Sequence, residues 1–393
     1  MIQETLFQDV NAAPETQRPS DEDVLCAIAV SAVSSPGRSG IWDMMQSRVF
    51  PGDIYRAVSR INRPVTQEYL VDTYSDNPAT AARMILDAAA AKSIRVLTFW
   101  DEDYPALLKE IQCPPVVLYI KGDIPPQQAL AIVGARRSDA RSAGNARRIA
   151  REAVSRGCAV VSGMAVGIDR EAHLGAIEEG GRTIGVLANG IDIVYPWPNR
   201  DLYRLIESTP GSALVSEYPP GIMAGKWTFV RRNRIISGLC AGTVVVKAGR
   251  RSGALITARH AMEQNRDVFA CTGNSFDEEY AGCHGLIKNG AVLVSGPDDI
   301  FDELSRCAGA VMPPAAGAVN GDCKTMREAE TEDDPEEGTL EWRVLRLLKE
   351  GDREIDAIAR EIPASPGEVN EAVVLLELGG RITRSGNMIS RVY

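Results

Sequence analysis

The chain has 393 residues, of which 45% are hydrophobic and 24% charged, a composition typical of a globular protein with several domains. No stretch approaches the roughly 20 apolar residues of a membrane helix, and the sequence begins without an apolar export signal. We therefore expect a cytoplasmic protein with no membrane partner. The eight cysteines occur singly, which argues against a zinc ribbon or a disulfide framework.

The formal net charge of −10 is distributed unevenly along the chain. Residues 321–337 hold eight acids and two bases, whereas residues 130–260 hold 19 Lys and Arg against 10 Asp and Glu. Because a local basic surface attracts polyanions whatever the total charge, the negative sum does not exclude nucleic acid as a partner.

The pattern of apolar residues divides the chain into five segments. Residues 1–20 are polar and are predicted to be mobile. Residues 21–92 have helical spacing and predict a small helical domain. Residues 93–307 alternate strand and helix patterns. Residues 308–337, rich in Ala, Gly, Pro and acids, predict a flexible acidic linker, and residues 338–393 predict a separate terminal domain.

The alternating segment predicts an α/β domain. Two short strand-like runs flank a helix within residues 94–126, and seven further apolar runs alternate with helices from residue 129 onward. The predicted helices of this part cover 142–156, 169–179, about 200–208, a stretch from about 232, and 254–264. Short apolar runs between helices are typical of a parallel sheet covered on both faces, so we expect an extended Rossmann-like fold. Its functional loops should follow the carboxyl ends of the strands.

The terminal segment predicts a winged helix. Two helical patterns precede a capping box at residues 365–368 that opens a third helix, and a hairpin is predicted about Gly386 and Asn387. The third helix carries three Glu and no Lys or Arg, which favours a protein partner over the major groove of a duplex.

The first candidate binding loop is GARRS, directly after the apolar run ALAIV. Gly134 permits close approach of the backbone, and Arg136 and Arg137 supply guanidinium groups suited to phosphate. An ordinary turn with solvated arginines is an equally good interpretation of this motif alone.

The second candidate loop is SGMAVGID, after the next strand. Its small residues that would let a phosphate approach are Ser162, Gly163, Ala165 and Gly167. Asp169 is expected to cap the following helix. His173 on that helix is expected to be a packed or capping residue and not a base. Neither a dinucleotide fingerprint nor a P-loop occurs in the chain.

The densest signal is KWTFVRRNRIISGLC. Its candidate binding residues are Lys226, Phe229, Arg231, Arg232, Asn233 and Arg234. Cations interleaved with aromatic residues suit a single strand, because cations follow the backbone while bases stack, at about 1–3 kcal/mol per base. Arg234 or Asn233 could instead brace the loop from inside, and Trp227 could belong to the core. After the fifth strand, Lys247, Ser252 and Gly253 add charge and small residues to the same edge.

The sequence gives little support for catalysis or for a bound cofactor. Its three histidines lack the spacing of metal ligands, and no nucleophile elbow occurs. We therefore expect no metal, no cofactor and no enzymatic activity.

Taken in order, the segments IVGARRS, VVSGMAVGIDREAH, TIGVLANGIDIVYPWPN, LVSEYPPG, FVRRNRIISGLC, SGALITARHA and GLIKNGAVLV resemble the DNA-processing protein A (Smf) family. The resemblance covers residues 132–294. It implies a helical sterile-alpha-motif-like domain, an extended Rossmann domain and a C-terminal winged helix.

The resemblance also implies a function. Members are non-catalytic proteins of natural transformation that bind and protect incoming single-stranded DNA, dimerise through the Rossmann domain and help to load a RecA-type recombinase. The family's strand-binding positions correspond to Arg136, the SGMAVG loop, Lys226, Phe229 and the RRNR cluster. This chain departs from the usual pattern at Val230, at Lys247, which is expected to strengthen the positive field, and at residues 271–273.

A second hypothesis is an enzyme. Related Rossmann-like proteins bind or cleave nucleotides in the same kind of loop pocket, and Glu217 or Asp169 could serve as the acid.

Overall fold

The structure is a computed structural model. It describes residues 19–33, 45, 49–60, 65, 67–125, 128–309, 339–348, 353–364, 369, 372–373, 376, 382–385 and 388–391. Most of the predicted N-terminal segment 1–20 and of the predicted linker 308–337 lies outside these residues. The chain forms two compact units, Met1–Pro313 and Pro314–Tyr393.

The first unit begins with a layer of helices. They are α1 (Asp21–Val33), α2 (Pro51–Arg60), α3 (Glu68–Thr73) and α4 (Pro78–Ala91). The start of α4 is fixed by Asn77, whose side chain accepts a hydrogen bond from the Thr80 amide at 3.0 Å. Buried residues of the layer, such as Ile28 and Ile85, belong to the same apolar core as Leu118 of the sheet that follows. The helices therefore pack onto the sheet and share its core.

The centre of the unit is a nine-stranded sheet. Its strands are β1 (Arg95–Thr98), β2 (Val117–Gly122), β3 (Ala129–Val133), β4 (Ala159–Ser162), β5 (Thr183–Leu187), β6 (Ala213–Ser216), β7 (Gly242–Val245), β8 (Asp267–Cys271) and β9 (Val292–Val294). Their order is β1-β2-β6-β5-β4-β3-β7-β8-β9. In this order, every neighbouring pair from β6 through β5, β4, β3, β7 and β8 to β9 is parallel, whereas β2 is antiparallel to both of its neighbours, β1 and β6. The chain reverses direction across the sheet between β3 and β7, where ligands of such folds usually bind.

Helices cover both faces of the sheet. They are α5 (Ala106–Lys109), α6 (Ala140–Ser155), α7 (Ile168–Glu178), α8 (Arg200–Ser208), α9 (Lys226–Gly238), α10 (Ala254–Glu263), α11 (Ala281–Lys288) and α12 (Pro297–Gly309). Two apolar cores result, because alternate residues of each buried strand face opposite sides: Ile132 belongs to one core and Val133 to the other. The predicted doubly covered, mostly parallel sheet is confirmed.

One predicted helix begins earlier than expected. Helix α9 starts at Lys226 and not near residue 232, because the Thr228 hydroxyl accepts the Gly225 amide at 2.9 Å and caps the first turn. The basic cluster therefore lies on a helix, so that only part of it can face solvent.

The second unit contains α13 (Leu340–Leu348), β10 (Arg353–Glu354), α14 (Ile355–Glu361), β11 (Ile382–Ser385) and β12 (Met388–Arg391). Its sheet has three strands in the order β10-β12-β11, one more than the predicted wing. Leu345, Ile358 and Ile389 share its core. The predicted capping box 365–368 and the turn at 386–387 lie outside the described residues. Within the described ranges, every helix is too short or too polar to cross a membrane.

Candidate nucleic-acid interface

Three loops and one helix meet at the carboxyl edge of the sheet. The Ile168 amide at the start of α7 donates to the Ala135 carbonyl after β3, at 3.2 Å. The buried Asn199 side chain donates to the Met164 carbonyl after β4, at 2.8 Å. These bonds join the loops after β3, β4 and β5 into one surface, onto which the first turns of α9 project.

Asp169 fills the space inside the second loop. Its carboxylate is buried and accepts the amides of Gly163 at 3.2 Å and Ala165 at 3.4 Å. Burial raises the pKa of Asp169, although the nearby charge of Arg232 opposes the rise. The expectation that Asp169 caps α7 is wrong, because Gly167 occupies the cap position and Asp169 lies in the first turn. An internal carboxylate thus binds two amides of the loop that was expected to let a phosphate approach.

The glycines of these loops are required by close packing. A Cβ on Gly163 would lie 2.8 Å from a carboxylate oxygen of Asp169, and one on Gly167, whose φ is +82°, would lie 2.5 Å from the Ala135 carbonyl oxygen. The hydroxyl of Ser162 is buried and donates to the Ile132 carbonyl at 2.6 Å. These small residues, with Gly134 against the side chain of Ile168, shape the surface from within.

Two arginines of the basic cluster point into the protein. Arg232 is 4% exposed and donates to the carbonyls of Gly163, at 2.8 Å, and of Val186. Burial lowers its pKa to about 10. Arg234 forms a buried ion pair with Glu217 at 2.6 Å. These two arginines brace the loops. For Arg234 this was the alternative left open by the sequence, whereas Arg232 was expected to contact a strand and is instead bonded inside the protein.

Lys247 is also committed to protein partners. Its ammonium group is 2.7 Å from Asp139 and 2.6 Å from Glu279, while its side chain is only 2% exposed. Burial alone would lower the pKa of Lys247, but the hydrogen bonds to the two carboxylates outweigh burial and raise it. The expectation that Lys247 strengthens the positive field is wrong, because the two carboxylates neutralise its charge.

The part of the edge that faces solvent is built around Phe229. Its ring is half-buried, and the guanidinium carbons of Arg136 and Arg232 lie 5.2 and 5.9 Å from the ring centroid. The ring of Tyr195 lies 5.7 Å away at an interplanar angle of 51°. Arg136 is exposed. We call these four residues the Phe229 pocket; it combines an accessible aromatic ring with a solvent-facing cation.

The remaining predicted residues lie on the loops and helices that follow β3, β6 and β7. Those at least partly exposed are Arg137, Lys226, Arg231, Asn233, Ser252 and Gly253. The Asn233 amide group donates to the Gly253 carbonyl at 3.4 Å and so connects the α9 cluster to the loop before α10. Trp227 is 52% exposed, so the alternative interpretation that it belongs to the core is wrong.

Sequence reasoning missed Tyr195 as a pocket residue. The signal was an aromatic residue in the Pro-containing loop YPWPN after a buried strand, a position where loops carry function.

His173 is fully buried, with Nδ1 2.7 Å from the Thr183 hydroxyl, and burial lowers its pKa to about 3. It is therefore a packed residue, as expected. The described residues contain no group of three side chains arranged to hold a metal ion.

Comparisons with known proteins identify the family. The family model of DNA recombination-mediator protein A matches residues 95–305, and a DprA winged helix domain model matches residues 328–388. The chain belongs to the DNA recombination-mediator protein A family. Every residue of the Phe229 pocket lies within the first match, whereas helices α1 to α4 lie outside it.

Individual family members are similar over most of their length. DNA processing protein DprA of Streptococcus pneumoniae is 38% identical over 253 residues, which cover 61% of this chain and 89% of that protein. DNA processing protein DprA of Bacillus subtilis is 40% identical over 223 residues, covering 56% and 74%. The X-ray structure of DNA processing protein A from Streptococcus pneumoniae superposes with a TM-score of 0.56 at 31% identity, covering 73% of this chain and 99% of that chain. The chain therefore resembles members of this family in fold as well as in sequence.

Proposed function

We propose that this recombination mediator binds single-stranded DNA at the Phe229 pocket. The observation that carries the proposal is the half-buried but accessible Phe229 ring with the exposed Arg136, whose guanidinium carbon lies 5.2 Å from the ring centroid. A base can stack on such a ring while its phosphate pairs with the cation, and stacking is independent of sequence because every base has an aromatic face. Bases of a duplex are already stacked and paired, so the ring selects single strands.

The charge around the pocket supports a polyanionic ligand. Arg136, Arg137 and Arg231 are at least partly exposed, and the structure pairs none of them with a carboxylate among the described residues. Arg232, Arg234 and Lys247 have internal partners, so we assign the phosphate contacts to the first set and the shaping of the pocket to the second. Lys226, at the exposed start of α9, belongs to the same surface.

The enzyme hypothesis is weakened by what its candidate acids do. Glu217 is held by Arg234, and Asp169 is buried beneath the loops on backbone amides. A catalytic acid must reach a bound substrate. We therefore propose that the protein is not an enzyme and needs no cofactor.

The family resemblance extends the proposal to partners. We propose that the protein works as a homodimer in the cytoplasm, protects single-stranded DNA that enters during transformation, and passes it to a RecA-type recombinase. The domain boundaries given by the sequence, with a terminal domain at residues 338–393 joined by a mobile linker, are part of this proposal.

The test compares a labelled single-stranded oligonucleotide with its duplex in anisotropy titrations, beside an assay for release of base or phosphate from nucleotides. We expect the single strand to bind more tightly and no nucleotide to be cleaved. Equal affinity for both forms, or nucleotide cleavage that is lost in Glu217→Gln, would overturn the proposal.

A further inference from the structure

A second aromatic residue is exposed on the loop that carries Tyr195. Trp197 is 65% exposed and begins a short 3-10 turn, Trp197–Asn199, that leads into α8. The guanidinium carbon of Arg200 lies 5.4 Å from the centroid of its ring. An exposed indole that meets a cation on the protein surface keeps much of its apolar area in water, which favours a ligand that covers it.

The loop that presents Trp197 is firmly held. Asn199 is buried and bonds the Met164 carbonyl at 2.8 Å, and the Tyr203 hydroxyl donates to the Tyr195 carbonyl at 2.8 Å. Asn189, at the start of the loop, donates to the Ile193 carbonyl at 2.7 Å. Because these bonds fix the backbone on both sides of Trp197, little ordering of the chain opposes binding at its ring.

Two arginines of α8 follow Trp197 in the chain. Arg200 and Arg204 are both exposed and lie four residues apart, so they share one face of the helix. The acids of α8 face other partners: Asp201 pairs with Arg170 at 2.5 Å, and Glu207 pairs with Lys121 at 3.2 Å. Among the described residues the structure pairs neither Arg200 nor Arg204 with a carboxylate, so both charges are available to an anion.

The loop also connects this face to the Phe229 pocket. Tyr195 contacts Phe229 with ring centroids 5.7 Å apart, and Trp197 follows it by two residues. Aromatic rings with nearby cations therefore succeed one another from Phe229 to Tyr195 and then Trp197. Repetition of stacking surfaces beside phosphate-pairing groups is the pattern that a single strand requires, since successive nucleotides present a base and a phosphate each.

We propose that Trp197, Arg200 and Arg204 form a second subsite, the Trp197 platform, for nucleotides of the same strand that occupies the Phe229 pocket. Trp197 stacks on a base, and Arg204 pairs with a backbone phosphate. The inference rests on the proposed function of the pocket and deepens it, because it assigns an additional length of the strand to a defined face.

The test uses oligothymidylates of increasing length, titrated by fluorescence anisotropy with the full chain. For long oligomers we expect Trp197→Ala to weaken binding about 5- to 100-fold and Trp197→Phe to restore most of the loss. Arg204→Ala should lower the slope of log affinity against log salt by about 0.7, the value for one phosphate of a single strand. Leu205→Ala, a change at a partly exposed apolar residue of the same helix, is the matched control and should bind like the parent.

Oligomer length separates this inference from the proposed function. Shortening the oligomer should remove the effect of Trp197→Ala while that of Phe229→Ala persists. If Phe229→Ala weakens binding of every length but Trp197→Ala and Arg204→Ala bind every length like the parent, the platform is wrong and the pocket stands. If Phe229→Ala has no effect at any length, the proposed function itself fails. A change in oligomeric mass in Trp197→Ala with unchanged DNA affinity would assign the indole to a protein contact and overturn the platform.

Discussion

The buried pair of Glu217 and Arg234 should stabilise the fold and take no part in chemistry. The carboxylate and guanidinium are 2.6 Å apart, and their side chains are 18% and 10% exposed. Replacing Glu217 by Ala leaves the Arg234 cation buried without its partner. Such an uncompensated charge costs about 3–5 kcal/mol, which is far more than the loss of a surface ion pair.

This free energy converts into a measurable melting shift. The entropy of unfolding per residue implies that 1 kcal/mol moves the melting temperature of a unit the size of Met1–Pro313 by about 1.5 °C, so Glu217→Ala should melt about 5–8 °C below the parent. The double variant Glu217→Leu/Arg234→Met should recover most of that loss, because it removes both charges and keeps apolar volume in the site. The assay is thermal unfolding monitored by far-ultraviolet circular dichroism at low protein concentration.

Two outcomes would refute this reasoning. Glu217→Ala could melt within about 1 °C of the parent, which would mean that Arg234 has no need of its partner. Alternatively, the double variant could melt as low as the single variant, which would mean that the loss arises from something other than an unpaired charge. Either result would also reopen the hypothesis of a catalytic role for Glu217.

Two further predictions concern buried residues, His173 and Gly163, and a third concerns the terminal unit. The pKa of His173 is about 3 in the folded protein and near 6.5 when unfolded, so the unfolded state binds a proton first as the pH falls. The free energy of unfolding should therefore drop by up to about 1.4 kcal/mol per pH unit below about pH 6.5. His173→Gln should lose this part of the pH dependence in urea titrations between pH 5 and 7. Gly163→Ala should destabilise the fold by about 1–3 kcal/mol in the same titrations, because its Cβ would lie 2.8 Å from a carboxylate oxygen of Asp169; an unchanged midpoint would contradict the packing described. Deleting residues 338–393 should leave single-strand affinity within about threefold, because the cations that we assign to the strand lie on the first unit; a hundredfold loss in a folded truncated protein would contradict this.

The layered sheet could be predicted from the sequence because its strands are short and wholly apolar. Runs such as ALAIV and TIGVL are buried along their full length, so both faces must be covered, and helices between them supply the cover. The sequence pattern places the start of α9 too late in the chain. The helix is capped by the Thr228 hydroxyl within KWTF, and the Pro- and Gly-rich residues before this stretch make it resemble part of a loop.

The direction of individual arginines could not be predicted. Arg231 and Arg232 are chemically identical neighbours, yet only Arg232 reaches the carbonyls of Gly163 and Val186, which are 69 and 46 residues away in the chain. Likewise, Lys247 is neutralised by Asp139, 108 residues earlier. Local spacing identifies a basic cluster, but long-range contacts decide which of its charges remain for a ligand.

The central claim is that stacking on Phe229 and pairing with Arg136 bind single-stranded DNA at one pocket. The most direct test measures the affinity of Phe229→Ala and Arg136→Ala for a single-stranded oligonucleotide over a range of salt concentrations, with Arg83→Ala, an exposed arginine of α4, as the control. We predict that Phe229→Ala loses about 1–3 kcal/mol of binding with an unchanged salt slope, that Arg136→Ala lowers the slope by about 0.7, and that Arg83→Ala matches the parent. Parent-like affinity and salt slope in both pocket variants would contradict the account.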